Sequence, residues 1–568
     1  MGGGKSLQRV HGHIVNPEPE YSLITLIGNV FVLLLFSYLL VCFVFWIKKK
    51  QFKTFFYFVL IAIFLVVSFI DTNFGARICP AVITLVAETT SSESGEFLNV
   101  FAFTKSSLFV YAYCFVIIVI TIGVEYLYKK IVKTKLFFCI FERKSHLCSI
   151  ISGGVLMASI LSCTKYVDLF MCETSDEVST WEVYGPHDSV SDIIYTWYDL
   201  KLAGYEVQSA IKTTTSVVQS IKDVTYADSL NIILVIGESH IKWHSSLYGY
   251  KLPTNPLMQK EVDNGNLFVF ENVSAPFIRT SDNLKNMLCT NSIGKGEKWY
   301  QSPYLPALFK AAGWHVSFFD NQRDWKKNTS TVFALNSFIY NDNMLKMSYH
   351  EINDTSFRYD AELVEYYSSR EMQRSNHNLL VFHLQGQHMG ASERYPKSSE
   401  FEHFRIQDIY RHESWIDDTK KQIIAEYDNA TYYNDYVLKK IADLYRDENT
   451  IMIYLSDHGE ETYDYRNQYG RKLFDIMNEN YVRYIYEIPF MIWCSDKYLS
   501  MNKNIVDSIR KATKKPFSSD NLSQLLLSLG DLHTLYRKEE LNPLSEKYKC
   551  PKRVIEAKYC FDDYVKSK

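Results

Sequence analysis

An uncharged, apolar stretch from Leu23 to Trp46 restricts this chain more than any other feature. It is long enough to cross about 30 Å of hydrocarbon as one helix. It is too long for a signal peptide and lacks a small-residue cleavage site, so we expect a membrane span. Comparable runs follow at Thr54 to Ile70, Ser106 to Val124 and Leu147 to Cys163. The sequence therefore predicts a transmembrane domain with about four helices.

Lysine positions predict the orientation of these helices. Lys48, Lys49, Lys50 and Lys53 lie between the first two predicted spans, and a second cationic group lies between the third and fourth. Short positive loops stay in the cytoplasm. The amino terminus, the loop around Thr89 and everything after the fourth span are therefore predicted to face outward.

Changes in composition divide the 568 residues into three predicted parts. Residues 1–164 form the transmembrane domain, residues 165–229 are expected as interfacial linker helices, and residues 230–568 alternate strand-like and helix-like segments. The linker pattern also fits an ordinary core helix. The net charge of −3 and the absence of a global polybasic signal give no indication of nucleic-acid binding.

Two strand-like segments end in side chains that bind metals. The run from Asn231 to Ile236 is followed by Glu238, and the run from Ile451 to Leu455 is followed by Asp457 and His458. In open α/β sheets, ligands bind at the carboxyl ends of the strands. Carboxylate oxygens and imidazole nitrogens are zinc ligands, so the two segments predict a zinc site.

A hydroxyl bound to zinc becomes a nucleophile at neutral pH. Ser239 is adjacent to Glu238, and Thr280 lies further along the chain. By itself, Thr280 is also typical of a helix N-cap.

Seven short motifs occur in one order: GES at Gly237, LYGY at Leu247, RTS around Thr280, AGWHVSFFDNQ at Ala312, HLQGQH at His383, YDNATYYNDY at Tyr427 and SDHGEE at Ser456. In this order and spacing they resemble the bacterial phosphoethanolamine transferases of the alkaline phosphatase and sulfatase superfamily. The resemblance implies an α-helical transmembrane domain plus an α/β alkaline-phosphatase-like (sulfatase-like) catalytic domain. It also implies the bacterial inner membrane, with the catalytic domain in the periplasm.

The resemblance assigns Thr280, forty-two residues after Glu238, as the nucleophile that carries the phosphoethanolamine. It adds His388 and Glu460 as further catalytic residues, although a histidine after a strand often has only a structural role. The implied zinc ligands are Glu238, Thr280, Asp457 and His458.

The resemblance also places a set of residues at the substrate. Thr89 and Glu93 keep the spacing of a periplasmic loop of the family, although a cap threonine on an interfacial helix is the alternative. For Lys326, a solvated loop charge is the alternative. The implied substrate-binding residues are Thr89, Glu93, Gln322, Lys326 and His383.

Several positions depart from the family pattern. Glu487 stands where many members have a histidine of a second metal site, so a second zinc held by His388 and Glu487 is left open. Cys550 and Cys560 are close in sequence and outside the membrane, and we interpret them as a plausible disulfide.

The resemblance implies transfer of phosphoethanolamine from phosphatidylethanolamine to lipopolysaccharide, at its lipid A or core, or to an envelope glycan. A phosphoglycerol transferase of the lipoteichoic-acid-synthase type shares these features and remains an alternative. A catalytically inactive membrane scaffold is another. A sulfatase activity is disfavoured because no C-x-P-x-R or S-x-P-x-R nucleophile sequence is present.

Overall fold

The structure is a computed structural model with two compact units, residues 1–85 with 101–203 and residues 86–100 with 204–568. The boundary near residue 203 falls inside the segment predicted as a linker. The described residues are 9–10, 13–14, 23–74, 82, 95, 97, 101–131, 145–163, 165–172, 178, 189–221, 228–323, 338–370, 375–471 and 476–565.

The first unit is built from long helices. Its elements are β1 (Arg9–Val10), β2 (His13–Ile14), α1 (Leu23–Trp46), α2 (Lys50–Phe74), α3 (Lys105–Ile131), α4 (Ser145–Ser162), α5 (Lys165–Phe170) and the start of α6 (Ser189–Val218). Three of these helices, α1 to α3, are long and apolar enough to cross a membrane. The fourth predicted span coincides with α4, and its membrane crossing stays a prediction.

Large apolar side chains on these helices are exposed on the protein surface. Trp46 is 75% exposed, Phe58 70% and Phe115 66%. A soluble protein rarely leaves so many aromatic side chains uncovered. Lipid is the environment in which this surface is stable, in agreement with the predicted membrane domain.

The second unit is an α/β domain. Its strands are β3 (Leu230–Gly237), β4 (Leu267–Phe270), β5 (Val273–Ser274), β6 (His315–Asp320), β7 (Glu351–Ile352), β8 (His377–His383), β9 (Thr450–Ser456), β10 (Phe490–Cys494), β11 (Phe517–Ser518), β12 (Val554–Ile555) and β13 (Tyr559–Cys560). Its helices are α7 (Pro256–Asp263), α8 (Thr280–Leu288), α9 (Leu305–Ala311), α10 (Asp342–Ser348), α11 (Asp360–Ser368), α12 (Asp418–Leu444), α13 (Glu479–Ile485), α14 (Asp496–Met501), α15 (Lys503–Ala512), α16 (Leu522–Leu529) and α17 (Phe561–Tyr564).

Seven strands form one mixed sheet in the order β4-β10-β9-β3-β8-β6-β7. Strands β9, β3, β8, β6 and β7 run parallel, whereas β10 and β4 are antiparallel to their neighbours. The central strand β3 is buried along nearly its whole length. Parallel strands covered on both faces read as continuous apolar runs, which is the pattern that the sequence shows here.

Alternate residues of β3 point into two different cores. Ile232 and Leu234 pack in one core with helices α9 and α16, and Ile233 and Val235 pack in the other with α12. Helices therefore cover both faces, and the carboxyl edge of the sheet is left for the loops that carry polar side chains.

Two expectations concern these elements. The disulfide between Cys550 and Cys560 is wrong, because both are free thiols. The end of α6 contributes Val207 and Ala210 to the core of the second unit, which agrees with the core-helix interpretation of that part of the predicted linker.

Candidate active site

The register of the central strands brings the predicted metal ligands side by side. Gly237 at the end of β3 pairs with Ser456 at the end of β9. The next residues, Glu238 and Asp457, therefore leave the sheet at the same edge, and His458 follows at once. All three side chains are completely buried.

These side chains form one tight cluster. His458 Nε2 lies 3.0 Å from Asp457 Oδ2 and 3.4 Å from Glu238 Oε1. One ligand atom from each residue lies within 4.8 Å of the others, and no second group of this kind occurs among the described residues.

Thr280 completes this cluster. It is the first residue of α8, and its Oγ1 donates to Glu238 Oε2 at 2.9 Å and lies 3.3 Å from His458 Nε2. The helix amino terminus places a positive dipole end beside this hydroxyl, which favours negative charge there. Thr280 is thus the hydroxyl that contacts two of the predicted zinc ligands at once.

Lone pairs converge at the centre of this cluster. His458 Nδ1 lies 2.9 Å from the Gly459 carbonyl, a contact that favours the tautomer with the proton on Nδ1 and a lone pair on Nε2. Burial, and then the charge of Arg471, lower the pKa of His458 to about 4. Asp457 Oδ2 is buried with no hydrogen-bond donor. Two buried carboxylates, an imidazole and a hydroxyl that face one point fit a divalent cation, and this donor set is one that zinc accepts.

Glycine is required where the loop after β8 crosses Glu238. Gly386 has a φ of +52°, and a Cβ there would lie 2.7 Å from both the backbone nitrogen and the backbone oxygen of Glu238. The next residue, Gln387, donates its amide to that oxygen at 2.9 Å. The glycine of HLQGQH therefore allows a close backbone approach that holds Glu238 in place.

Ser239, the residue after Glu238, has a strained backbone. Its φ is +55°, which is uncommon for a residue other than glycine. Its Oγ donates to Glu238 Oε1 at 2.7 Å, and its carbonyl accepts a hydrogen bond from the Tyr427 hydroxyl at 2.5 Å. The hydroxyl of Ser239 thus supports the predicted metal ligand Glu238.

Two predicted substrate-binding residues lie next to the cluster or behind it. Gln322 Nε2 is 3.3 Å from Glu238 Oε2 and donates to the Leu384 carbonyl at 2.6 Å. His383 is buried, with Nδ1 3.0 Å from Asp320 Oδ1. Burial opposes the imidazolium, but the carboxylate of Asp320 outweighs it and raises the pKa of His383. Thr89, Glu93 and Lys326 lie outside the described residues.

The remaining predicted residues have other surroundings. His388 lies in the turn after β8, and its Nδ1 is buried without a hydrogen-bond partner. Glu460 is paired with Arg471 at 3.3 Å. Glu487 forms a buried ion pair of 2.6 Å with Lys242, so an ammonium already balances its charge. Among the described residues, His388 and Glu487 do not join a metal-ligand group, and the second zinc stays a prediction.

The sequence analysis missed Arg471. Its guanidinium contacts both ring nitrogens of His458 and donates to the Ile278 carbonyl at 2.5 Å. It adds a positive charge to the cluster. No motif marks this arginine, since it stands in a loop thirteen residues after His458.

Comparison with known proteins identifies the family of the second unit. Residues 230–532 match the family described as Sulfatase, which is more than half of the chain. The chain belongs to the sulfatase family. Phosphoethanolamine transferase EptC of Escherichia coli is 28% identical over 285 residues, which are 49% of this chain and 47% of that protein. The chain therefore spans about half the length of this curated relative, so its own activity has to be inferred from the site.

Two solved structures confirm the predicted fold class. One is the zinc complex of the periplasmic domain of EptC from Escherichia coli, with 23% identity and a TM-score of 0.51. The aligned residues make up 61% of this chain and 96% of that domain. The integral membrane phosphoethanolamine transferase A of Neisseria meningitidis has 16% identity and a TM-score of 0.58, with coverage of 93% and 92%. Long apolar helices together with an α/β sulfatase-like domain are thus the architecture of this chain, as predicted.

Proposed function

We propose that this protein transfers phosphoethanolamine from phosphatidylethanolamine to an envelope acceptor through Thr280. The observation that carries the proposal is the contact of Thr280 Oγ1 with Glu238 and His458 at the carboxyl edge of the sheet. The similarity to phosphoethanolamine transferases supports the choice of the group that is transferred.

The chain's own residues account for two displacement steps. Thr280 Oγ1 attacks the phosphorus of the donor, the bond from phosphorus to the diacylglycerol oxygen breaks, and that oxygen receives a proton. An acceptor hydroxyl then attacks the same phosphorus, the bond from phosphorus to Thr280 Oγ1 breaks, and the proton released by the acceptor restores the Thr280 hydroxyl. Glu238 accepts the hydroxyl hydrogen of Thr280 before the attack, and His388 and Glu460 stay predicted as residues that assist proton transfer or substrate binding.

Zinc is the metal proposed for this site, held by Glu238, Asp457, His458 and Thr280. When bound, it lowers the pKa of the hydroxyl and supplies positive charge to the transferring phosphoryl group. The buried Asp457 Oδ2, which accepts no hydrogen bond, is the observation in favour of a cation. We expect purified protein to contain about one zinc ion per chain and Asp457→Asn to contain much less, as measured by atomic emission.

The proposed location is the bacterial inner membrane with the second unit in the periplasm, where lipopolysaccharide at its lipid A or core, or an envelope glycan, is the acceptor. The three apolar helices and the cationic residues around Lys48 to Lys53 support this location. Thr89, Glu93, Gln322, Lys326 and His383 are the proposed donor-lipid and head-group residues.

The test is mass spectrometry of envelope lipids and glycans from cells that express the wild-type chain or Thr280→Ala. We expect a phosphoethanolamine adduct and an increase in diacylglycerol only with the wild-type chain. A phosphoglycerol adduct would instead establish the alternative activity, that of a phosphoglycerol transferase. Equal products from both strains would contradict the role of Thr280. Thr280→Ser is the matched control, because it keeps the hydroxyl.

A further inference from the structure

The loop that leads into Thr280 is held by a hairpin near the carboxyl terminus. Strands β12 and β13 pair antiparallel, with Ile555 opposite Tyr559, so that Glu556 lies at the turn. The hairpin lies beyond residue 532, where the match to the sulfatase family ends. It therefore lies outside the residues that match the family model, and it contacts the loop that leads into Thr280.

Glu556 contacts this loop through its backbone and its side chain. Its amide donates to the Pro276 carbonyl at 2.8 Å, and its Oε1 accepts a hydrogen bond from the Ile278 amide at 2.9 Å. The same Oε1 lies 3.3 Å from the Tyr486 hydroxyl, which donates to it. Two of these hydrogen bonds hold the loop at Pro276 and Ile278, and the third, from Tyr486, orients the Glu556 carboxylate.

Apolar contacts strengthen the same connection. Ile278 is 3% exposed and packs in one cluster with Tyr486, Ile555 and Phe561. The side chain of Ile278 is therefore buried by the hairpin and α17, while its amide is bound by Glu556. A change in the hairpin acts directly on the position of the loop.

The hairpin itself is firmly attached. Arg553 is 1% exposed, donates to Asn272 Oδ1 at 2.5 Å and pairs with Asp562. These contacts connect the hairpin to the segment between β4 and β5. The hairpin can therefore hold the loop and does not merely move with it.

Backbone strain marks the turn. Glu556 and Ala557 have φ values of +48° and +52°, and neither is glycine. A left-handed backbone is unfavourable for residues other than glycine. Strain persists where the surroundings hold it in place, and here it directs the carboxylate of Glu556 at the Ile278 amide.

We propose that the carboxyl-terminal hairpin positions the nucleophile, with Glu556 as the positioning residue that holds residues 276–278 so that Thr280 faces Glu238 and His458. The inference rests on the proposed function of Thr280. Glu556 acts through the loop and does not touch the reacting atoms, so its loss lowers turnover rather than substrate binding.

The test uses purified full-length protein in detergent and measures diacylglycerol release from fluorescent phosphatidylethanolamine. Glu556→Ala is expected to lower kcat about tenfold or more, because a small displacement of a reacting group is costly. KM and zinc content stay at wild-type values. Glu556→Gln keeps an oxygen acceptor for Ile278 and restores most of kcat, whereas the shorter Glu556→Asp does not.

Hydrogen exchange of the 276–280 segment provides a second measurement that needs no substrate. Exchange increases in Glu556→Ala and Glu556→Asp and remains low in Glu556→Gln and in the control Asp563→Ala, which changes an exposed residue of α17. If Glu556→Ala does not fold, Glu556→Asp carries the same test. Wild-type kcat in the folded Ala or Asp variant overturns the proposal.

The two proposals fail in different ways. A wild-type protein that releases no diacylglycerol contradicts the proposed function. Exchange at residues 276–280 then decides the role of the hairpin by itself, and unchanged exchange in Glu556→Ala overturns it.

Discussion

Glu238 is held at every polar atom of its side chain. Its Oε1 accepts a hydrogen bond from Ser239 at 2.7 Å, and its Oε2 accepts from Thr280 at 2.9 Å and from Gln322 at 3.3 Å. Gln387 binds its backbone oxygen. A carboxylate with so many partners keeps one orientation, which a metal ligand needs because the contacts around a ligand determine how it faces the metal.

Gly386→Ala tests this support at a single atom. The added Cβ meets the backbone of Glu238 at 2.7 Å, so we expect Glu238 to move, with zinc content and transfer activity falling at least tenfold. Gly313→Ala is the matched control. Gly313 has a φ of +89° with nothing within 4 Å of the added atom, so it introduces the backbone strain without the collision. Equal losses in both variants would show that strain alone explains the effect.

Several elements are joined by a buried ion network behind the cluster. His244, just after β3, lies 2.6 Å from Asp428 of α12 and 2.7 Å from Asp464, in the loop after β9. Tyr250 donates to Asp428 at 2.9 Å and stacks on the imidazole. The loop that supplies Asp457 and the loop that supplies Glu238 are thereby held to one helix.

His244→Gln is expected to destabilise the second unit by about 3 kcal/mol near pH 6, since two buried carboxylates lose their cation. Burial alone disfavours the imidazolium, but Asp464 and Asp428 outweigh it and raise the pKa of His244 to about 10. The charged imidazole of His244 therefore contributes its full stabilisation below the ordinary pKa of about 6.5. This stabilisation is lost as the pH rises toward 10.

Thermal unfolding of wild type and His244→Gln across this pH range is the measurement for that prediction. The difference in melting temperature should shrink from pH 6.5 to 10. His533→Gln is the control, because His533 is 76% exposed, and it should match wild type throughout. A difference that is constant with pH would mean that packing, not charge, explains the loss.

Sequence patterns located the ligands on β3 and β9 because an apolar strand followed by a polar residue marks the sheet edge where Glu238 and Asp457 meet. They could not locate Arg471 or Glu556. The Ile278–Glu556 contact joins residues 278 positions apart, and no local periodicity encodes such a pairing. The pairing of Glu487 with Lys242 could not be predicted either, because the two residues lie far apart in sequence and meet only in the fold.

At the scale of the whole molecule, the charge pattern and the apolar helices together predict an orientation. Lys48, Lys49, Lys50 and Lys53 flank the start of α2, and positive loops face the cytoplasm. If the four predicted spans all cross the membrane, we expect residues after the fourth span to face the periplasm.

Reporter fusions measure this orientation. A reporter that is active only in the periplasm should be active when fused after residue 568 and inactive when fused after Lys49, because the two points lie on opposite sides. Inactivity at the carboxyl terminus, together with activity after Lys49, would reverse the predicted orientation. Activity at neither point would indicate an odd number of spans.

The most direct test of the central claim is peptide mass spectrometry of purified protein incubated with phosphatidylethanolamine and no acceptor. We predict a phosphoethanolamine group on Thr280, absent in Thr280→Ala and reduced after chelation of the metal. Diacylglycerol release with no modification of Thr280, or with the group on another residue, would contradict the mechanism.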